Sequence, residues 1–384
     1  SGYLAVQCYL QEAFLHFVFE IIFRDICSSK IIYMKKILAL TILLLSLMSC
    51  AQDQGADVRN VELSKIERGI YYWKTKFSLN ENEEDFLKIH NVSKLYIKMF
   101  DVALQKDPGN DTLSLVPIAT TRFASQIPES VDVVPTVYIT YDALMHLVGK
   151  DDLYKESYVR RILRRIDAMS SYNELPRVQE VQFDCDWTSN TAYGYYQICS
   201  IAKRILNSNG KLFSITLRLH QMDDDLIPPA DRGVLMLYNT GSFKNPNSSN
   251  SILTYKDAQP YIGKHEIRFP VDYAYPTYSW SLLFREDEFK CIVRNLDLKN
   301  ETLYKKSDYN KFIVQKDTLI AGTQLQKGDM IRYETAEFKE IERVKSYLSK
   351  YHDMRNSRQI IYHLDSTNLS KFSDDEIKNI YMVY

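Results

Sequence analysis

From residue 69 onward, short apolar runs alternate with longer segments whose apolar positions recur at helical spacing. The short runs are rich in β-branched and aromatic residues and end at turn-forming or charged residues, which is typical of buried β-strands. Eight strands are predicted, at residues 69–77, 93–100, 134–141, 178–183, 212–219, 234–238, 266–271 and 359–362. Helices are predicted between and after them, with the clearest patterns at residues 152–170, 188–207 and 373–383.

This order of elements predicts the fold class. Eight strands alternating with helices match the element count and length of a (β/α)8 TIM barrel, which we predict over residues 67–384. Residues 284–354 contain shorter strand-like pieces and one helical pattern, so we predict a small α+β insertion there, between strands seven and eight. Two parallel-sheet domains would also alternate, but no glycine-rich phosphate turn follows the first strand. No dinucleotide site and no cofactor is therefore predicted.

The N-terminal part carries a targeting pattern. The basic start Met34-Lys35-Lys36 is followed by an apolar run and then by Leu47-Met48-Ser49-Cys50. Such a pattern is typical of a secretory signal peptide rather than a membrane-spanning helix. The last four residues resemble a bacterial lipobox, which implies cleavage before Cys50 and acylation of its thiol. We therefore predict a lipoprotein signal peptide over residues 34–50.

The flanking residues complete this prediction. Residues 1–33 precede Met34 and are interpreted as a translated leader or a misassigned start, and the polar residues 51–66 as a tether to the folded part. Ala51 and Gln52 lack the aspartate that retains lipoproteins in the inner membrane. The resemblance thus implies a protein of the bacterial cell envelope, anchored in the outer membrane through lipid on Cys50.

Charge and composition limit the kinds of binding partner that we predict. The 48 basic and 49 acidic side chains nearly balance, and no basic run is present, so no nucleic-acid partner is predicted. The 28 tyrosines combine large apolar faces with polar tips, which suits a ligand with polar rings. Three cysteines in the predicted barrel make neither a disulfide framework nor a zinc site.

Candidate chemistry lies where the predicted strands end, because TIM barrels carry their sites at the C-terminal ends of the strands. Nearly every predicted strand ends in polar or aromatic side chains, and Trp280 follows a little beyond strand seven. The residues at or near these ends are Trp73, Asp101, Asp142, Asp184, Asp186, Trp187, Arg218, His220, Tyr238, Asn239, Asp272, Trp280, His363 and Asp365.

Asp184 and Asp186 are the most informative of these residues. Side chains alternate between the faces of a strand, so residues two apart point the same way. Two carboxylates that close repel each other, and burial would raise the pKa of at least one. The alternative is that both acids cap the helix that follows.

Two short motifs resemble glycoside hydrolase family 18, the chitinase-type barrels. Phe183-Asp184-Cys185-Asp186-Trp187 is similar to that family's fourth-strand signature DxxDxDxE, and Met236-Leu237-Tyr238-Asn239 is similar to its sixth-strand motif. The resemblance implies that the two aspartates are the middle acids of the signature. It also implies that Tyr238 and Asn239 are the pair that handles the acetamido group of the substrate.

The sequence departs from this family at two positions. Val181 stands where the first aspartate of the signature falls, and Thr188 stands where the family has its catalytic glutamate. A threonine cannot donate a proton at a useful pKa. The family's usual substrate-assisted route is therefore closed in its usual form.

Two functional hypotheses follow from the resemblance. The first is a glycoside hydrolase-like lipoprotein that acts on a glycan at the C-terminal face of the barrel. The alternative is a non-catalytic glycan-binding lipoprotein on the same fold. The catalytic candidates are Asp184, Asp186 and Asp142, with Asp186 as the leading acid or stabiliser and Asp272 or Asp365 as a further partner. The other strand-end residues are candidates for substrate binding. We expect Asp184, Asp186, Tyr238 and Asn239 to share one pocket, with Trp187 or Trp280 as a wall.

A third hypothesis is metal-assisted hydrolysis. It would draw on Asp184, Asp186, His220, His363 and Asp365. The run Asp223-Asp224-Asp225 lacks a complete calcium loop and is interpreted as a solvated turn.

Overall fold

The computed structural model describes residues 67–383, apart from residues 108, 110, 224–227 and 264–268. These residues belong to the second of two compact units of the chain, Ile66–Tyr384. The predicted leader, the signal peptide with Cys50 and the tether lie outside the described residues, as do Asp224 and Asp225. Within the described ranges, no helix is both long enough and apolar enough to cross a membrane.

Strands and helices alternate along the first two thirds of the described chain. The strands are β1 (Arg68–Tyr72), β2 (Lys76–Phe77), β3 (Lys94–Lys106), β4 (Leu113–Ile118), β5 (Arg122–Phe123), β6 (Asp132–Ile139), β7 (Glu180–Cys185), β8 (Leu212–Arg218), β9 (Arg232–Met236), β10 (Val271–Pro276), β11 (Ser279–Arg285), β12 (Glu288–Val293), β13 (Tyr304–Lys306), β14 (Lys311–Val314), β15 (Thr318–Ile320), β16 (Thr323–Leu325), β17 (Met330–Thr335) and β18 (Gln359–Tyr362). The α-helices are α1 (Glu81–Ile89), α2 (Tyr141–Val148), α3 (Asp152–Tyr172), α4 (Ala192–Ser208), α5 (Tyr255–Ala258), α6 (Phe338–Leu348), α7 (Ser366–Leu369) and α8 (Asp374–Tyr381).

Eight parallel strands close into a barrel. They follow the order β1, β3, β6, β7, β8, β9, β10 and β18 around the ring. The first strand pairs in parallel on both sides, since Ile70 lies opposite Leu95 of β3 and opposite Ile361 of β18. The predicted TIM barrel is therefore confirmed, together with the predicted pairing of residues 359–362 with the first strand.

The helices pack on the outside of this ring and are capped by side chains that the sequence indicates. α3 buries Val159, Ile162 and Ile166 in the same core as the strand residues. The Asp151 carboxylate accepts a hydrogen bond from the Tyr154 amide at 2.8 Å and so stabilises the start of α3. α8 begins with a reciprocal capping box made by Ser373 and its third helical residue.

Strand seven is not where the sequence predicts it. The prediction was residues 266–271, whereas β10 is Val271–Pro276 and is buried along its whole length. The acidic Asp272 in its second position interrupts the apolar pattern, so the pattern does not predict the strand. Asp272 therefore lies near the beginning of the strand rather than at its end.

A buried network of charges closes the N-terminal end of the barrel, and it explains how Asp272 is accommodated. Arg232 donates two hydrogen bonds to the Asp272 carboxylate, at 2.9 and 2.6 Å, and the Arg358 amide donates a third at 2.7 Å. The Arg358 guanidinium also binds Glu180 and Glu67, each at 2.6 Å. Asp272 lies at the opposite end from the strand C-termini, so its predicted role in substrate binding or catalysis is wrong.

The chain between β10 and β18 forms a small antiparallel sheet and one long helix. The sheet has the order β12, β11, β17, β14 and β13, with β15 and β16 as a separate hairpin, and α6 follows. This is the region for which the sequence predicts an α+β insertion, but it begins at Ser279 rather than near residue 284. Because β11 follows β10 almost directly, its first residues stay close to the end of the barrel strand.

Candidate functional site

The two aspartates at the end of β7 bind one arginine. Arg218, the last residue of β8, places Nη2 at 3.1 Å from Asp184 Oδ1 and Nε at 2.7 Å from Asp186 Oδ1. Thr216 Oγ1 donates a further hydrogen bond of 2.6 Å to Asp184, and the Tyr138 hydroxyl lies 3.4 Å from Asp186 Oδ2. Both carboxylates thus reach the same partner, as alternation along a strand predicts. We call Asp184, Asp186, Thr216 and Arg218 the carboxylate cluster.

Burial sets the electrostatics of the carboxylate cluster. The side chain of Asp184 is almost inaccessible, and burial raises its pKa although Arg218 and Thr216 oppose that shift. Burial would lower the pKa of Arg218, but the two carboxylates hold it above its ordinary value. The arginine is therefore a permanent cation between two acids. It compensates the repulsion that their spacing alone would produce.

The two aspartates do not cap the next helix, which was the alternative interpretation. α4 begins only at Ala192, and its N-terminal cap position is Thr191. Thr188, at the position of the family's glutamate, is exposed and donates its amide to Thr191 Oγ1 at 2.9 Å.

Tyr238 and Asn239, which follow β9, contact a group of aromatic side chains. The Tyr238 ring stacks on Tyr362 with centroids 4.7 Å apart, and the Tyr278 hydroxyl donates a 2.6 Å hydrogen bond to Asn239 Oδ1. The Tyr238 hydroxyl is buried without a hydrogen-bond partner in the described part of the chain. Asn239 has φ of 55°, a left-handed conformation that asparagine tolerates better than most residues.

A cleft of about 1240 Å³ lies over the C-terminal ends of β1, β9, β10 and β18. The cleft is lined by residues from these strand ends, from β11 and β12, and from the chain around α7. The predicted site residues that line it are Trp73, Asn239, Trp280, His363 and Asp365. The sequence predicts one pocket for Asp184, Asp186, Tyr238 and Asn239. Of these four residues, Asn239 lines the cleft and the other three do not. Tyr238 stacks on Tyr362, which does line it.

Two of the three tryptophans form aromatic surfaces in this cleft. Trp280 Nε1 donates a 2.7 Å hydrogen bond to Glu334 Oε2, which fixes the indole. Trp73 packs edge-on against Tyr71 and lies 6.1 Å from the Tyr362 ring. Trp187 is only 1% exposed, so it is a core residue and its predicted role as a wall or ligand contact is wrong.

The acids of the cleft are both bound to one lysine. Lys74 Nζ lies 3.1 Å from Glu83 Oε1 and 3.1 Å from Asp365 Oδ2. Burial would raise the pKa of Asp365, but the Lys74 ammonium holds it below its usual value. Asp365 also accepts the Asn368 amide at 3.1 Å and so caps α7. The neighbouring His363 has its pKa lowered to about 4, mainly by burial.

The remaining candidates lie outside the cleft lining. Asp101 is bound by Lys98 at 3.1 Å. Asp142 is exposed in the first turn of α2, and His220 is exposed in the turn after β8. Among the described residues, no group of three or more histidine, cysteine, aspartate or glutamate side chains could hold a metal ion. The geometry thus gives the metal-assisted hypothesis no site there.

The strand-end candidates leave out several cleft residues, and two of these lie in segments that do not follow a predicted barrel strand. Tyr278, Arg294, Tyr362 and Lys371 all line the cleft. Arg294 follows β12 of the insertion, and Lys371 follows α7. The rule that sites lie at strand ends cannot indicate residues that arrive from an insertion or from a C-terminal loop.

Comparison with known proteins concerns the fold. No protein-family model matches the sequence, and no curated protein matches it either. The Bacillus cereus spore cortex-lytic enzyme SleL has a TM-score of 0.46 and 14% identity, over 83% of this chain and 75% of its own. A chitinase from Chromobacterium violaceum has a TM-score of 0.48 and 9% identity, over 82% of this chain and 98% of its own. Chitinase-type barrels are thus among the structures that this chain resembles, as predicted. At these identities and scores, the likeness says nothing about the chemistry of this chain.

Proposed function

We propose that the protein binds a glycan in the cleft and does not hydrolyse it through Asp184 and Asp186. The observation that carries this proposal is the position of Arg218, which binds both carboxylates at 3.1 and 2.7 Å. The two strand-end acids that the family resemblance assigns to catalysis are therefore already bound to Arg218. None of the carboxylate cluster lines the cleft, which remains open.

The lining of the cleft supports glycan binding. Sugar rings have apolar faces and rims of hydroxyls, so sites that bind them combine flat aromatic surfaces with hydrogen-bonding groups. Trp73 and Trp280 supply two such surfaces. The amide side chains of Asn239, Asn295 and Asn368 supply donors and acceptors in the same cleft.

The state of the acids argues against hydrolysis by these residues. A glycosidase needs one protonated carboxyl beside the leaving oxygen and a second carboxylate for the nucleophile, base or stabiliser. Asp184 and Asp186 share one guanidinium, and Thr188 supplies no acid. Glu83 and Asp365 in the cleft share Lys74 in the same way.

Glycoside hydrolysis is the second candidate, and two observations favour it. Burial raises the pKa of Asp184, as a general acid requires, and the Tyr238 hydroxyl is buried without a partner in the described chain. A substrate that displaced Arg218 from the carboxylate cluster would release both aspartates.

We further propose that the barrel is held at the outer membrane of a bacterial cell by lipid on Cys50, with residues 51–66 as the tether. Mass spectrometry of the membrane fraction should find an acylated N-terminal Cys50, and Cys50→Ala should leave the precursor uncleaved. A peptide that continues through an unmodified Cys50 in the mature protein would contradict this.

Binding and turnover should be measured on the same glycans. The purified protein is tested against a panel of oligosaccharides by calorimetry, and the released reducing ends are counted in parallel. We expect binding without release, and unchanged affinity in Asp186→Asn because that residue lies outside the cleft lining. Release of reducing ends by the wild type that is lost in Asp186→Asn would establish the second candidate instead.

A further inference from the structure

The cleft carries more positive than negative side chains. Its lining contains five cations, Lys74, Lys76, Lys98, Arg294 and Lys371, and two acids, Glu83 and Asp365. Two of the cations are compensated. Lys74 binds both acids, and Lys98 binds Asp101 from outside the lining.

The other three cations form no ion pair with a carboxylate of the described chain. Lys371 is held instead by neutral oxygens, with Nζ at 2.6 Å from Ser279 Oγ, 3.0 Å from Asn368 Oδ1 and 3.4 Å from the Tyr333 hydroxyl. Ser279 and Trp280 both line the cleft, so this ammonium is fixed in the same cleft as the aromatic surface of Trp280. Arg294 is exposed at the end of β12, and Lys76 is exposed beyond β1.

If the cleft binds a glycan, as proposed above, the chemistry of these cations specifies its class. We propose that the ligand is an acidic glycan, which carries carboxylate or sulfate groups on its sugar rings. Arg294 and Lys371 bind these groups, while Trp73 and Trp280 stack on the rings. Charge-assisted hydrogen bonds are the stronger ones, and a planar guanidinium matches a carboxylate or sulfate through two of them. A neutral glycan would leave three cations of the cleft without a counterpart.

Matched pairs of polysaccharides test this directly. Polygalacturonate, alginate, hyaluronan and chondroitin sulfate are each compared by affinity electrophoresis with a carboxyl-reduced and, for the last, desulfated form of the same polymer. We expect retardation by at least one acidic form, loss of retardation by its neutral counterpart, and weakening as salt screens the charges. Equal binding of both forms, or binding confined to neutral chito-oligosaccharides, would overturn the acidic specificity while leaving glycan binding intact. No binding to any acidic or neutral polymer would overturn the proposed function itself.

Substitutions in the cleft test which residues confer the preference for an acidic glycan. The double variant Arg294→Gln and Lys371→Gln should lower affinity for the acidic polymer by about threefold to thirtyfold. The double variant Lys305→Gln and Lys306→Gln, which removes two exposed lysines of β13 outside the cleft, serves as the matched control and should bind as the wild type does. Trp280→Ala separates the two proposals. If it abolishes binding whereas the double variant of Arg294 and Lys371 has no effect, the cleft binds glycans without using these cations.

Discussion

The guanidinium of Arg218 lies between two carboxylates that would otherwise repel each other across the end of β7. One of them, Asp184, is almost fully buried, so its charge depends on this partner. Removing one partner of a buried pair leaves an uncompensated charge, which is far more harmful than removing both. The same arginine thus stabilises the barrel and occupies the acids that a hydrolase would need.

Arg218→Met should lower the free energy of unfolding near neutral pH by about 3–5 kcal/mol. Without the cation the pKa of Asp184 rises further, so the folded state takes up a proton more readily than the unfolded chain. Stability of this variant is then lost as pH rises from the unfolded pKa of an aspartate, about 3.9, through the raised pKa of the folded state, and it is regained as pH falls back through the same range. Urea unfolding at acidic and at neutral pH measures both effects.

The control for this prediction adds Asp184→Asn to Arg218→Met, which removes the buried charge along with its partner. We expect the double variant to recover much of the loss near neutral pH. A loss of the same size in both variants would mean that Arg218 acts through packing, for example against Met236, rather than through charge.

His363 should make the protein sensitive to acid. Burial lowers its pKa to about 4 in the folded state, whereas an unfolded histidine titrates near about 6.5. Between these values the unfolded chain binds more protons, so stability is present above the upper value and is lost as pH falls toward the lower one.

His363→Asn should therefore remove about 1–3 kcal/mol of the stability difference between about pH 7 and about pH 4. His352 also has a pKa lowered to about 4 by burial, so part of the acid sensitivity will remain. Chemical unfolding across this range gives the slope for each protein. His220→Asn changes an exposed ring and is the control, and a slope equal to the wild type in His363→Asn would contradict the prediction.

At the scale of whole elements, the helix layer depends on one close approach. A Cβ atom on Gly194 of α4 would lie 2.5 Å from Val148 Cγ2 and 3.0 Å from Val148 Cα, at the end of α2. The second of these is backbone and cannot rotate away. The two helices therefore need a glycine at this crossing.

Gly194→Ala should lower the free energy of unfolding by about 1–2 kcal/mol, because overpacking outweighs the better helix propensity of alanine. Gly149→Ala at the end of the same α2 is the matched control. Its Cβ would meet nothing closer than His146 O at 3.9 Å, and it should stay within about 0.5 kcal/mol of the wild type. Equal stability of the two variants in thermal or urea unfolding would show that α2 yields without strain.

The elements also show what the sequence can and cannot predict. Strand periodicity located seven of the barrel strands, because their buried faces are apolar along the chain. It failed at β10, where Asp272 is neutralised by arginines from β9 and from the start of β18. That compensation depends on contacts between distant residues, and no local pattern records it.

The site was predictable to the same limited degree. Trp73, Asn239, Trp280, His363 and Asp365 follow barrel strands closely enough for a strand-end rule to select them. Arg294 and Lys371 reach the cleft from the insertion and from the loop after α7, so sequence order says nothing of them. The pairing of Arg218 with both aspartates likewise depends on the reach of one long side chain.

At the scale of the whole molecule, the residues that stabilise the barrel and the residues that line the cleft are concentrated at opposite ends of the strands. Its N-terminal end is closed by the network of Arg232, Asp272, Arg358, Glu180 and Glu67. Its C-terminal end carries the cleft, to which the insertion contributes Trp280 and Arg294. Changes at exposed cleft residues such as Arg294 and Lys371 should therefore alter binding with little effect on folding.

Intrinsic fluorescence tests glycan binding in the cleft most directly, because the chain has only 3 tryptophans. Trp73 and Trp280 line the cleft, whereas Trp187 is buried in the core. Three variants that each keep one tryptophan, with phenylalanine at the other two positions, are titrated with a glycan whose binding to each variant calorimetry has established. The variants that keep Trp73 or Trp280 should change their emission on binding, and the one that keeps Trp187 should not. A response confined to Trp187, or no response from either cleft tryptophan while the glycan is bound, would contradict glycan binding in this cleft.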